Sequence, residues 1–458
     1  MTERELRALL ERGMDGVAAW EARWPAFAAD PSLDIPFDRA AAAIDELAER
    51  LHDNYPFFHP QYAGQMLKPP HPIALAAYAM TARINPNNHA LDGGPATAAL
   101  EREAVAQIAT MFGYGHDHLG HLTSSGTIAN LEALWVATRL RPGTAVAHSA
   151  EAHYTHARMC AVLGVRSIAV PVDARGRMDV AALQALAESD NVGTVVVTAG
   201  TTASGAVDPV HEVVALAATR GWRVHADTAY GGFFKIIAEM PDAYMDPAPW
   251  QALSACDSIV VDPHKHGLQP YGCGCVLFRD ASVGALYKHD SPYTYFTSQE
   301  LHLGEISLEC SRAGASAAAL WATLRCLPLS PTGLGRALLA TRTAALIASA
   351  NARESGELKP VVEPELDIFS AAPVRAGSRA AASAISARTQ AAFDKLGSDR
   401  DDPLYLAVWR VPAAFGRLAM PYVDWDRDDC AVLRSVLMKP EHKDRAAGIV
   451  SRILAAVK

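Results

Sequence analysis

The stretches RVHADTAYGG (residues 223–232) and SIVVDPHKHG (residues 258–267) each join a short apolar run to a loop of small and polar residues. Such a run predicts a buried strand, and the loop marks the carboxyl end of that strand. Segments with helical periodicity separate these two strands from their neighbours in the chain. Strands that alternate with helices in this way indicate an α/β fold with a mostly parallel sheet.

The same alternation continues outward on both sides. We predict strands at 146–148, 167–170, 194–198, 223–227, 258–261 and 275–278, and helices at 128–140, 153–163, 180–188 and 210–220. We assign residues 1–56 to an N-terminal helical segment, 57–328 to a large domain, and 329–458 to a small C-terminal α+β domain with strand signals near 367–370, 404–409 and 432–437.

Composition excludes several classes of protein. Of the 458 residues, 50% are hydrophobic and 20% are charged, which is the balance of a globular protein. The formal net charge of −9 and the scattered basic residues argue against nucleic acid as a partner. No stretch reaches the roughly 18 consecutive apolar residues of a membrane span. The first residues lack a secretory signal pattern, so we expect a soluble, cytoplasmic protein.

A small-residue turn precedes the first predicted helix of the large domain. The segment HLTSSGT, residues 121–127, places hydroxyl residues and a glycine where that helix begins. Backbone N–H groups at a helix start are unpaired and lie at the positive end of the helix dipole, so the turn can bind an anion. A simple capped turn is the alternative, because the segment lacks the lysine of a P-loop.

Two charged residues follow predicted strands. Asp227 ends one strand, at the sheet edge where open α/β folds bind ligands, although a helix cap is a commoner role for such an aspartate. Lys265 lies between His264 and His266 after the next strand. Neighbouring cationic groups can make an amine nucleophilic, although a surface lysine is the simpler interpretation. An anion site, a carboxylate and an amine together match the phosphate, ring nitrogen and aldehyde of pyridoxal 5′-phosphate.

From about residue 59 to 328 the sequence resembles the pyridoxal-phosphate-dependent amino-acid decarboxylases of the group that includes aromatic amino-acid, tyrosine and glutamate decarboxylases. The PHK and HxDxAYGG signatures carry the resemblance. It implies a fold type I enzyme, a homodimer with shared active sites, and roles for particular residues. Lys265 would bind the cofactor aldehyde covalently, Asp227 would pair with the ring nitrogen, and Ala229 and His153 would cover the two ring faces.

The resemblance extends to residues around the rest of the cofactor. It implies phosphate binding by Ser125, Gly126 and Thr127, proximity of Thr201 and Thr202 to the phenolic oxygen, a position for His264 near the phosphate or the substrate carboxylate, and an approach of Ser311 and Arg312 to the phosphate. Arg312 could equally form an internal ion pair. Asp262 departs from the resemblance, because several relatives have Ser or Asn at this position.

The resemblance also favours decarboxylation. It places Tyr293, with Tyr295 as the reserve, in a catalytic loop whose tyrosine returns a proton to the substrate carbon. The segments HPQY (59–62) and NPNNH (85–89) resemble those of tyrosine decarboxylases and the wider group, so we expect an aromatic L-amino acid as substrate. A carbon–carbon lyase, a decarboxylating aldehyde synthase and an aminotransferase stay open as alternatives on the same cofactor.

The sequence gives little support for a metal site. His116, His118 and His121 have a spacing that could bind zinc, but no further ligand cluster accompanies them. The seven cysteines include no C-x-x-C spacing. Cys273 and Cys275 share one face of a predicted strand, and we interpret them as core residues. We therefore expect no metal.

Overall fold

The computed structural model describes residues 1–89, 93–287 and 306–458. Its helices are α1 (Glu3–Glu21), α2 (Phe37–Leu51), α3 (Pro72–Ile84), α4 (Pro95–Phe112), α5 (Gly126–Leu140), α6 (Thr155–Leu163), α7 (Val180–Ser189), α8 (Val210–Arg220), α9 (Ala248–Ala252), α10 (Gly314–Cys326), α11 (Gly335–Glu354), α12 (Ala382–Ser398), α13 (Ala413–Ala419) and α14 (His442–Val457). Its strands are β1 (Leu119–Thr123), β2 (Ala145–Ser149), β3 (Ser167–Val170), β4 (Val192–Thr198), β5 (Arg223–Asp227), β6 (Ser258–Val261), β7 (Gly274–Phe278), β8 (Lys359–Pro360), β9 (Ile368–Ala372), β10 (Ala380–Ala381), β11 (Ala407–Pro412), β12 (Val423–Asp424) and β13 (Asp429–Val436).

The central sheet has the strand order β1-β7-β6-β5-β4-β2-β3. Strands β3, β2, β4, β5 and β6 are parallel to one another, and β7 runs antiparallel to both β6 and β1. Strands β4, β6 and β7 are buried along their whole length. Helices cover both faces of such a sheet, which explains why its strands are continuously apolar. The α/β prediction and its six strands are confirmed.

The sheet brings distant segments together at one edge. The carboxyl ends of β5 and β6 lie side by side, because Asp227 pairs in register with Val260. The start of α5 follows β1, which reaches the same edge by running antiparallel to β7. The loops that carry the predicted chemistry therefore converge at this edge, where open α/β sheets bind ligands.

The C-terminal part has an antiparallel sheet of its own, in the order β11-β13-β9-β8. Helices α11, α12 and α14 pack around it, and the predicted α+β character is confirmed. The segment near residue 62 belongs spatially to this part: the Ala63 N–H donates to the Tyr405 carbonyl, and the Val436 N–H donates to the Ala63 carbonyl. The start of the predicted large domain is thus held against the small one.

The N-terminal helices differ in how they pack. Helix α1 lies against α3, and an ion pair between Arg83 and Glu21 joins them. Helix α2 has no buried residue, although its sequence is strongly amphipathic. Within the described residues, no helix combines the length and the apolar character needed to cross a membrane.

Candidate active site

A cavity of about 250 Å³ opens at the carboxyl edge of the central sheet. Most of the residues predicted to surround the cofactor line it: Ser125, Gly126, Thr127, His153, Thr202, Asp227, Ala229, His264 and Lys265. These residues lie at or just after the ends of five different strands, β1, β2, β4, β5 and β6. The structure thus brings together the anion-binding turn, the carboxylate and the amine that the sequence predicted separately.

Lys265 lies in the loop between β6 and β7. Its side chain is about one-fifth exposed, and its Nζ is 3.1 Å from Oδ2 of Asp262. Asp262 is buried, and its Oδ1 has no hydrogen-bond partner among the described residues. The side chain of Lys265 is therefore paired within the cavity, and Lys265 is not a surface lysine.

Asp227 is buried where β5 ends, and both of its carboxylate oxygens are held. Oδ1 accepts a hydrogen bond of 3.0 Å from the Ala229 N–H, and Oδ2 is 2.8 Å from Nε2 of His156. Burial by itself would raise the pKa of Asp227, but the hydrogen bond and charge of His156, the Ala229 N–H and the charge of Lys265 together lower that pKa well below its usual range. Asp227 is therefore an anion at neutral pH.

The turn before α5 has the features of an anion site. Ser125 is the N-cap, and its hydroxyl accepts a hydrogen bond from the Ile128 N–H. A side chain at Gly126 would collide with the carboxylate of Asp262, because a Cβ there would lie 2.5 Å from Oδ2. The hydroxyl of Thr127 contacts that of Thr155 at 3.3 Å. Glycine is thus required where the chain passes closest to the lysine loop.

Two histidines border the cavity. Nδ1 of His153 accepts a hydrogen bond from the Thr155 N–H, which assigns the proton of the neutral ring to Nε2. Nδ1 of His264 donates to the Cys273 carbonyl at 2.7 Å, so its Nε2 faces Asp262 at 3.5 Å. Burial is the main cause that lowers the pKa of both rings.

The two threonines of the GTT signature differ in position. Thr202 lines the cavity, whereas Thr201 is fully buried outside the lining, where its hydroxyl contacts that of Ser204 at 3.1 Å. The Thr202 carbonyl accepts a hydrogen bond from Arg434 on β13. The C-terminal domain therefore supports the loop that carries Thr202.

Ser311 and Arg312 do not line this cavity. Arg312 is buried in an ion pair of 2.6 Å with Glu101 and also donates to the Leu122 carbonyl, which is the internal ion pair that the sequence left open. Ser311 borders a neighbouring cleft and accepts a hydrogen bond from Asn87. The predicted loop acids Tyr293 and Tyr295 lie outside the described residues.

The three histidines considered for zinc do not converge. His121 is fully buried and lies 3.0 Å from Glu132, whereas His116 is exposed and His118 is half-buried. Over residues 1–89, 93–287 and 306–458, no group of three or more potential metal ligands occurs. Cys273 and Cys275 are both buried, and neither forms a disulfide.

Sequence reasoning missed His156. It is fully buried at the start of α6 and contacts Asp227 directly, three residues after His153. The sequence showed this second histidine, but the helix was predicted to begin at His153, and nothing in that pattern linked His156 to the carboxylate. Asp262 was noticed only as a departure from relatives, and its contact with Lys265 was not foreseen.

The lining fits pyridoxal phosphate by its donor set. A buried anionic carboxylate suits a protonated ring nitrogen, the helix start suits a phosphate, and an amine in the same cavity suits an aldehyde. Two carboxylates lie near the helix start: that of Asp262 beside Gly126, and that of Glu309, which accepts a hydrogen bond of 2.8 Å from the Ser124 N–H.

The comparisons agree with this chemistry. The family described as "Pyridoxal-dependent decarboxylase conserved domain" matches residues 45–331. A probable L-tyrosine/L-aspartate decarboxylase of Methanoculleus marisnigri is 35% identical over 268 residues, 58% of this chain and 69% of that protein. The L-tyrosine decarboxylase of Levilactobacillus brevis is 26% identical over 438 residues, and the match covers 72% of this chain and 70% of that protein.

A solved structure shares the fold. The crystal structure of Oryza sativa TDC with PLP and tryptamine superposes with a TM-score of 0.77 at 19% identity, covering 99% of this chain and 98% of that one. The matched family segment contains the whole cavity lining, including Asp227 and Lys265. The chain therefore belongs to the pyridoxal-dependent decarboxylase family and is a pyridoxal-phosphate-dependent amino-acid decarboxylase.

Proposed function

We propose that the enzyme converts an aromatic L-amino acid to its amine and CO₂. The observation that carries this proposal is the joint presence of Lys265 and Asp227 in a cavity whose described lining contains no arginine and no second lysine. The bound cofactor supplies a cationic ring that accepts the electron pair left when CO₂ departs. The chain's own residues bind, orient and charge that ring.

Each residue has a separate role in this proposal. Lys265 holds the aldehyde covalently through Nζ, and Asp227 keeps the ring nitrogen protonated by accepting its hydrogen bond. The N–H groups at the start of α5, with the hydroxyls of Ser125 and Thr127, hold the phosphate. His153 and Ala229 hold the two ring faces, and His264 faces the substrate side. Support comes from the shared cavity and from the anionic state of Asp227.

Apolar surroundings favour an aromatic side chain. Next to the cavity, the ring of Tyr271 lies 4.9 Å from that of His264. Tyr271 also borders a larger, mainly apolar concavity that includes Tyr55, Phe57 and Phe58. Lys68 also borders that concavity, so the aromatic assignment rests on the rings near the cavity and on the absence of arginine and of a second lysine from the described cavity lining. Aspartate is the second candidate, because the Methanoculleus relative is named for both substrates.

A substrate comparison tests this proposal. We expect kcat/KM for L-tyrosine, L-tryptophan or L-phenylalanine to exceed that for L-aspartate by about 100-fold, because the described cavity lining offers no arginine and no second lysine to pair with a second carboxylate. CO₂ and amine release from each amino acid would be measured side by side. Equal or faster turnover of L-aspartate would reject the aromatic assignment. Release of an aldehyde and ammonia in place of the amine would instead indicate an aldehyde synthase.

The proton donor to the product carbon stays a prediction. The resemblance assigns it to Tyr293, which lies outside the described residues. A cytoplasmic location is likewise still a prediction from the sequence.

A homodimer is part of the proposal, and helix α2 supports it. None of its residues is buried, and Phe37, Ile44, Leu47 and Leu51 are exposed along one face. Their spacing forms an apolar stripe, which water-exposed helices of a monomer rarely carry. We propose that a second copy of the chain covers this stripe.

The double substitution Ile44→Asp and Leu47→Asp is expected to convert the dimer to a monomer, because it places two charges in an apolar interface. Sedimentation velocity would measure the change, and circular dichroism would check that each chain stays folded. Glu49→Lys, on the polar side of α2, is the control and should leave the dimer intact. An unchanged dimer in the double variant would exclude this stripe from the interface.

A further inference from the structure

His156 is the residue in closest polar contact with Asp227 on the protein side. It is the second residue of α6, it is fully buried, and it is not among the residues that line the cavity. Its Nε2 lies 2.8 Å from Oδ2 of Asp227. The imidazole therefore supports the carboxylate from behind, on the side away from the cofactor cavity.

The contact fixes a proton. An ionised carboxylate only accepts hydrogen bonds, so Nε2 of His156 must donate. The other oxygen of Asp227 accepts from the Ala229 N–H. With one donor on each oxygen, the plane of the carboxylate is fixed, and its remaining lone pairs are available to the cavity. Nδ1 of His156 is buried without a hydrogen-bond partner among the described residues, so Asp227 is the group that orients this ring.

Two other buried histidines surround His156 without competing for Asp227. Ring centroids of His148 and His225 lie 6.0 and 6.4 Å from that of His156. His148 donates from Nδ1 to the Ser149 carbonyl, and His225 contacts Asn130 through Nε2. Burial lowers the pKa of both, that of His225 to about 3, so they are neutral near pH 7.

We propose that His156 is a positioning residue that holds the Asp227 carboxylate as an anion aimed at the cofactor's ring nitrogen. This inference rests on the role proposed for Asp227. It assigns to a side chain outside the cavity the task of keeping the ring nitrogen protonated. Removing the donor would leave Oδ2 of Asp227 desolvated and free to turn, which weakens its hold on the ring proton.

The test uses the holoenzyme loaded with pyridoxal phosphate labelled with ¹⁵N in the ring, because the ¹⁵N chemical shift reports protonation of that atom. The variants are His156→Leu, which removes the donor, and His156→Gln, whose amide reaches the same position as Nε2. His156→Asn keeps a polar side chain that is too short to reach Asp227. It replaces the leucine variant in the test if that variant does not fold. His148→Leu is the matched control, since it removes a neighbouring buried imidazole that does not contact Asp227.

We expect His156→Leu to lower the pH at which the ring nitrogen deprotonates by about one unit. We expect kcat to fall about tenfold with KM changed less than about twofold. His156→Gln should restore both values, and His148→Leu should match the wild type. An unshifted ¹⁵N titration in the leucine and asparagine variants would overturn the inference. If the Asp227→Asn variant shows the same ¹⁵N titration as the wild type, the role proposed for Asp227 is wrong, and the proposed function is wrong with it.

Discussion

Replacing Lys265 by alanine is expected to abolish decarboxylation, with a loss of about 10³-fold or more, and to leave a protein that loses pyridoxal phosphate on dialysis. Lys265 supplies the amine of the cavity, and its Nζ is paired with Asp262 at 3.1 Å. Removing it deletes the covalent attachment and leaves a buried carboxylate without its cation. Borohydride reduction followed by peptide mass analysis should mark the peptide with Lys265 in the wild type.

The control is Lys235→Ala, which removes another partly buried lysine of the same domain. The ammonium of Lys235 donates to the Trp250 carbonyl, and Lys235 does not line the cavity. This variant should keep both cofactor and turnover. Cofactor mass found on a peptide without Lys265, or turnover surviving in Lys265→Ala, would contradict the assignment.

The substitution Asp227→Asn is expected to reduce kcat by about 100-fold or more while the cofactor stays bound. The amide has nearly the same shape and can still meet the Ala229 N–H through its oxygen, but it carries no charge to keep the ring nitrogen protonated. Turnover and the cofactor absorption spectrum would be recorded on the same preparation.

Asp208→Asn is the control for Asp227→Asn. It removes a buried carboxylate outside the cavity, and it shows whether such a loss lowers turnover merely by destabilising the fold. Asp208 is equally buried, accepts hydrogen bonds from the Met178 and Thr198 N–H groups, and does not line the cavity. Burial raises its pKa to about 7. This control should lower the melting temperature without changing kcat of the loaded enzyme. Wild-type turnover in Asp227→Asn would remove Asp227 from its proposed role.

The strands of the central sheet could be predicted because β-branched runs alternate with amphipathic segments. The direction of β7 could not, because a short apolar run has no polarity that indicates parallel or antiparallel pairing. The loop from Asp262 to Cys273 reverses the direction of the chain and places β7 next to β6 in the sheet. The two strands are therefore antiparallel. The prediction of a helical segment over residues 1–56 likewise said nothing about what the apolar face of α2 contacts.

At the site, local motifs indicated the positions of Asp227, Lys265 and the turn before α5. Contacts between distant residues were beyond the sequence. Arg312 pairs with Glu101 across the fold, and no local pattern favours that partner over a phosphate. The contact of His156 with Asp227 depends on where α6 begins, which is Thr155 rather than His153, and helix ends are the least certain part of any prediction from sequence.

The order of strands in the central sheet has a consequence for biosynthesis. In the described structure, β1 joins the sheet through β7, which leaves the ribosome long after β1 and after the lysine loop. Strand β1, which carries the phosphate turn, therefore lacks its pairing partner until translation has passed Phe278. Long-range pairing of this kind is slow to form. A nascent chain should thus capture the vitamin only after its whole central sheet has been synthesised.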